Sequence, residues 1–126
     1  PMKKVISTSN APAAIGPYSQ AIEAGNLVFL SGVLPIDPFT GNMVTGNIAI
    51  QTEQIFKNIE ALLKQAGCSM KQVVKTTVFL TDMTLFSEMN EVYAQYFAND
   101  YPARSAVAVK ELPKNSQIEI EVIAMK

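Results

Sequence analysis

Two periods of apolar residues divide the chain into recognisable elements. Ile48, Ile55, Ile59, Leu62, Leu63 and Ala66 recur at spacings of three, four and seven, which predicts one buried stripe of a helix. Asn47 stands where an N-cap side chain would accept a bond from an unpaired backbone N–H, and Gly67 stands where a helix commonly stops. A second stripe, Phe86, Met89, Tyr93, Tyr96 and Phe97, predicts a helix over 84–98, with Pro102 barring any continuation. Between the helices, residues 73–80 (Val-Val-Lys-Thr-Thr-Val-Phe-Leu) are dense in side chains that pack well on a pleated surface and lose rotamer freedom in a helix, so a central strand is expected.

The remaining segments read as strands and loops. Residues 3–7 form a short strand, followed by a loop at 8–17 too rich in turn formers to continue it. Gly25-Asn26 separates strands at 19–24 and 27–31 with a connection of hairpin type, because both residues tolerate positive φ. A loop follows at 35–47. Strands at 105–109 and 117–125, joined by the turn 110–116 around Pro113, close the chain. The expected order is β-β-β-α-β-α-β-β in one domain spanning residues 1–126. Two helices must bury their stripes on one face of the sheet, giving a two-layer α+β sandwich with six strands.

The last strand shows what this leaves open. Ile118, Ile120, Val122 and Ala124 fall on one side, and Glu119, Glu121, Ile123 and Met125 on the other. That second side begins acidic and ends apolar, with no further helix to cover it. A second copy of the chain is the economical cover, so a closed oligomer is expected.

Composition narrows the chemistry more than the fold. Hydrophobic residues make up 48% of the chain and charged residues 17%, a folded domain somewhat rich in apolar side chains. A net charge of −1 offers no general field for a polyanion, so nucleic acid is an unexpected partner. No apolar run approaches the ~20 residues of a membrane helix, and the opening Pro-Met-Lys-Lys-Val-Ile-Ser lacks the apolar stretch of a signal peptide. The expectation is a cytosolic protein. One cysteine, Cys68, cannot form an internal disulfide and reads as a half-buried small residue. The chain has no histidine, which removes the Ser-His-Asp and Cys-His triads, the common zinc sites and histidine bases. Chemistry must then come from Arg, Glu, Asp, Tyr, Lys, backbone groups and water, and no cofactor or metal is expected.

Five stretches carry a family likeness: Asn10-Ala-Pro-Ala-Ala-Ile-Gly-Pro-Tyr-Ser-Gln20, Ser31-Gly32, Val74-Lys-Thr-Thr-Val-Phe79, Pro102-Ala-Arg-Ser105 and Ile118-Glu-Ile-Glu121. In order and spacing they resemble the Rid (YjgF) family of reactive intermediate deaminases, over essentially the whole chain. The resemblance implies a chorismate-mutase-like α+β fold and a homotrimer with sites in the clefts between subunits. It also implies hydrolysis of 2-iminobutanoate and 2-iminopropanoate to 2-keto acids and ammonia.

The resemblance also implies residue roles. Arg104 matches the family's carboxylate-binding arginine, whose planar guanidinium can meet both carboxylate oxygens at once. Glu119 matches the acid that holds the attacking water and shuttles protons. Spacing alone does not separate Glu119 from Glu121. Tyr18 matches a pocket tyrosine that bonds substrate or water; without the match it is a plug over the core edge. Ser31 and Gly32 match a strand end whose carbonyl faces the site, and Asn90 a site-associated position that sequence alone gives only a polar helix face. Ala106 stands where the nearest subgroup commonly has cysteine; alanine keeps the backbone N–H and loses the thiol.

Two other readings stay open. An N-terminal proline amine is the general base of small trimeric tautomerases, and Pro1 could act so. A fold of this kind also serves as a binding or regulatory module, and fold alone does not choose.

Overall fold

The computed structural model describes residues 2–126, so the reading that relies on Pro1 lies outside the described residues. Six strands make one sheet: β1 (Lys4–Ile6), β2 (Ala21–Ala24), β3 (Leu27–Leu30), β4 (Val73–Leu80), β5 (Ala103–Ala108) and β6 (Ile118–Met125). Their spatial order is β1-β2-β3-β6-β4-β5, antiparallel throughout except for the parallel pair β4 and β5. That single parallel pair makes the sheet mixed. The expected α+β architecture and element order are therefore observed. Within the sheet β6, not β4, is the strand that joins the two halves, although β4 is still flanked on both sides.

Two helices connect the strands, α1 (Ile48–Gln65) and α2 (Phe86–Tyr96). Asn47 caps α1 as expected, its side-chain oxygen accepting from the Ile50 N–H at 3.0 Å. Past its end Gly67 adopts φ +81°, a conformation that side chains with a Cβ disfavour. The second helix is shorter than the pattern suggests. Asp82 accepts from the Thr84 N–H, a tight 3₁₀ turn over Met83–Leu85 leads into α2, and the backbone becomes extended at Phe97. The stripe nevertheless lands inward, with Met89, Tyr93 and Phe97 all buried.

The core lies between this helical layer and one face of the sheet. Ile55, Phe56, Ile59 and Leu63 from α1 meet Val78, Leu80, Ile118, Ile120 and Val122, all fully buried. Each such side chain contributes about 1.5–3 kcal/mol of burial, which is why the stripe dictates the helix position. Cys68 is buried at the edge of this core rather than half-buried, and burial pushes its thiol pKa up. The opposite sheet face is open in the single chain. Val5, Phe29 and Met125 lie there with 59%, 39% and 45% of their surfaces exposed; Val5 and Phe29 share a row across the strands with Ile123, and Met125 follows two residues along β6. No helix among the described residues is long and apolar enough to cross a membrane.

Candidate functional site

The site residues expected from the sequence fall into two groups, on opposite faces of the sheet. Glu119 sits opposite Phe79 on β4, which in turn sits opposite Val107 on β5, so its side chain shares the open face. Arg104 sits opposite Thr76, which faces the buried Val122, so it shares the helical face. The two groups line separate cavities. A single chain does not bring Arg104 and Glu119 together.

The first group gathers where β3 runs out. Val33 and Ile120 exchange backbone hydrogen bonds at 2.8 and 3.1 Å, an isolated bridge that presses Gly32 against the next strand. A Cβ added to Gly32 would lie 2.6 Å from Cδ of Glu119 and 2.8 Å from its Oε2. The carboxylate thus occupies the space that only glycine leaves free. Ser31 is fixed beside it, its N–H donating to the Gln20 carbonyl at 3.0 Å and its Oγ to the Ser19 carbonyl at 2.6 Å. Tyr18, half exposed, folds over Gly16, and its Oη accepts a long bond from the Ile15 N–H at 3.4 Å. Together Tyr18, Gln20, Ser31, Gly32, Lys114 and Glu119 provide the polar edge of a cavity of about 470 Å³ whose remaining walls are largely apolar. Glu121, two residues on, points to the same face but is exposed and lines neither cavity.

Gln20 is the contributor that sequence reading did not single out. It is only 7% exposed, and its Nε2 donates to the carbonyls of Thr8, Ala11 and Pro12 while its Oε1 accepts from the Thr8 N–H. These bonds hold the 8–17 loop as one wall of the cavity. Its signal was present, at the end of the Gly-Pro-Tyr-Ser-Gln motif. Lys114 was also missed; it adopts φ +57° inside the Pro113–Asn115 turn, and nothing in its residue type announces a left-handed backbone.

Glu119 holds its proton more tightly than an ordinary carboxylate. Burial first, and the like charge of Glu121 second, raise its pKa above the ordinary carboxylate value. A carboxyl whose folded-state pKa is raised binds its proton more tightly in the folded protein. Its contribution to stability is complete below the unfolded pKa and is lost as pH rises through the folded one. Glu119→Gln should therefore melt higher than the unsubstituted protein at pH 8, with the gain shrinking as pH falls into the carboxylate range. Calorimetry across that range checks it; an equal or lower melting temperature at pH 8 would contradict the shift. Gly32→Ala should push the carboxylate out of place and cut turnover at least about tenfold, since ångström-scale misplacement of a reacting group is costly. Full activity in a folded Gly32→Ala protein would show that this packing does not matter.

The second group lies along β5. This strand begins two residues earlier than expected, so Arg104 is part of it instead of preceding it. Its guanidinium carbon stands 4.7 Å from the ring centre of Tyr93 and 5.1 Å from that of Phe86, and Nη1 donates to Oδ1 of Asn90 at 2.6 Å. Asn90, which the family resemblance implied as a site-associated residue, is a direct partner of Arg104. Tyr93 is itself anchored, its hydroxyl paired with the Thr76 hydroxyl at 2.7 Å in the buried layer. Ala106 lies on the same face as Arg104, opposite Val78, with its methyl packed against the core. β5 is an edge strand, so this group is open to a neighbour along its free side.

Comparison with known proteins identifies the family. The family model described as Endoribonuclease L-PSP matches residues 8–126. A RutC family protein of Pyrococcus horikoshii is 58% identical over 125 residues, 99% of both chains. The human 2-iminobutanoate/2-iminopropanoate deaminase is 47% identical over 125 residues, covering 99% of this chain and 91% of its own. The crystal structure of the E. coli YjgF gene product, 44% identical and aligned over 98% of each chain, superimposes with a TM-score of 0.93. With the family model covering nearly the full length and relatives well above the identity at which families are shared, the chain belongs to the Rid (YjgF, Endoribonuclease L-PSP) family.

Proposed function

We propose that this chain is a 2-iminobutanoate/2-iminopropanoate deaminase, acting at sites that two subunits of a homotrimer build together. The carrying observation is the split: a tuned carboxylate in one cavity, and a guanidinium without a carboxylate partner on the other face of the same sheet. The only ion pair among the described residues is Lys126–Glu23, so Arg104 keeps its full charge for an incoming anion. A neighbour that covers the open apolar face, where Val5, Phe29 and Met125 are exposed, would carry its own Arg104 group toward this Glu119. The human relative's name supplies the substrate class, and 2-imino acids carry the carboxylate that Arg104 suits.

In this mechanism the substrate carboxylate pairs with Arg104, which fixes C2 near a water held by Glu119, with Tyr18 and the Ser31-Gly32 backbone lining the pocket. Positioning replaces collision. Water adds to C2 as the C=N π electrons move to nitrogen, and Glu119 takes the proton that water releases. It delivers that proton to nitrogen, giving a carbinolamine, then takes the hydroxyl proton and passes it to the amine; the O–H electrons form the C=O bond as the C–N bond breaks, so ammonia leaves with both water protons and the 2-keto acid remains. Hydrolysis changes no oxidation state, so the reaction calls for no redox cofactor. The net charge of −1 argues against RNA as the substrate.

The test is ammonia release from 2-iminobutanoate generated in the assay, together with the mass in solution by light scattering. Accelerated release by a trimer supports the reading. A monomer at micromolar concentration would sink the shared site, and a trimer without acceleration would leave the protein a binding or regulatory module.

A further inference from the structure

Nearly everything that touches the Arg104 guanidinium is uncharged. Its carbon stands over the rings of Phe86 and Tyr93, at 5.1 and 4.7 Å, and one edge donates to the neutral amide oxygen of Asn90. A carboxylate partner would compete with an incoming anion for the guanidinium. Here aromatic faces attract the cation by their quadrupoles, at about 0.5–2 kcal/mol each, without neutralising it. With one Nη1 proton committed to Asn90, the rest of the fork remains for a carboxylate.

The support behind these groups is buried and hydrogen-bonded. Tyr93 packs edge-on against Phe56 in a buried aromatic cluster, with ring centres 5.7 Å from Phe56 and 4.9 Å from Phe97, and its hydroxyl is tied to Thr76 on β4. Phe86 and Asn90 stand one turn apart on the same side of α2 as Tyr93, at the i, i+4 and i+7 positions of one helical stripe. The helix thus presents two rings and an amide to an arginine arriving from β5.

We infer that Phe86, Asn90 and Tyr93 form a charge-neutral cradle that positions Arg104 and keeps its cation unspent, so that the site selects an α-carboxylate by geometry. These are positioning residues; they act through Arg104 and, in this inference, need not touch substrate. The inference rests on the proposed deaminase reading for its kinetic readout, and a binding measurement stands apart from that reading.

Three variants test it in the intact oligomer. Phe86→Leu keeps an apolar side chain and removes one ring; the KM for 2-iminobutanoate should rise about tenfold, the worth of one cation–π contact, with kcat changed much less. Phe86→Tyr, which keeps the ring, should restore the KM. Asn90→Asp places a carboxylate within hydrogen-bond reach of Nη1, an internal competitor; the KM should rise about a hundredfold or more while thermal stability holds. In parallel, calorimetric affinity for 2-oxobutanoate, a stable 2-keto acid, should fall in the same order. An unchanged KM and 2-oxobutanoate affinity in folded Phe86→Leu, or in Asn90→Asp, would overturn the cradle. If the unsubstituted protein deaminates nothing, the functional reading fails, and 2-oxobutanoate binding alone then decides for or against the cradle.

Discussion

Arg104→Ala is expected to lower kcat/KM for 2-iminobutanoate by about a hundredfold to ten-thousandfold while leaving the oligomer folded. Two charge-assisted hydrogen bonds to the substrate carboxylate are lost, each worth about 1.5–3 kcal/mol, and the orientation of C2 is lost with them. The cost to the fold should be small. Arg104 is exposed on an edge strand, and its removal leaves Tyr93 bonded to Thr76 and packed against Phe56 and Phe97. Lysine should rescue poorly, because a point charge reproduces neither the fork nor the stacking on two rings. Thermal unfolding and mass measured on the same samples separate lost chemistry from lost structure. Near-normal ammonia release from a folded Arg104→Ala protein would move the carboxylate anchor to Lys114, the cation that lines the Glu119 cavity itself.

Glu119→Gln is expected to slow kcat by about 10²–10⁴-fold, the ordinary cost of losing a general acid–base group. Glu121→Gln should cost far less. Both carboxylates project from the same face of β6, yet only Glu119 is half-buried and backed by Gly32, and its pKa is raised. Glu121 acts on it through space: its charge is one of the two causes of the shift, so Glu121→Gln should also move the acidic limb of the pH–rate profile downward. Equal losses of turnover in the two variants would mean that the position beside Gly32 confers nothing.

The contrast between these glutamates shows where the sequence stops speaking. Strict alternation puts 119 and 121 on one face and buries 118, 120, 122 and 124, and the structure agrees. What separates the two is the Val33–Ile120 bridge, a contact between residues 87 positions apart that brings Gly32 up to Glu119 alone. Local period carries no trace of it; only the family motif did. The helices were legible for local reasons, a cap at Asn47, a stop at Gly67 and an apolar stripe. The start of β5 was not, because Ala103 and Arg104 have no strand preference and take their conformation from the parallel ladder with Lys75 and Thr76. Phe86 and Tyr93 were visible as members of a core stripe. Period assigns a face, and it does not reveal that the rim of that face holds an arginine.

The split of the site was the least legible feature. Arg104 and Glu119 lie on different strands, and their relative facing depends on how β5 and β6 each register with β4. Family resemblance implied sites between subunits. In the proposed reading a shared site would follow from the sheet, since one chain holds the two groups on opposite faces.

That split gives the account its most direct test. Arg104→Ala and Glu119→Gln proteins, each inactive alone, are unfolded together, mixed in equal amounts and refolded. In a cyclic trimer whose sites take Arg104 from one subunit and Glu119 from the next, random mixing makes about a quarter of the interfaces intact in both residues. The account predicts recovery of about a quarter of the unsubstituted activity. Mixed oligomers that form, shown by mass, yet stay as inactive as either parent would contradict it, because a site contained within one chain cannot be complemented by its neighbour.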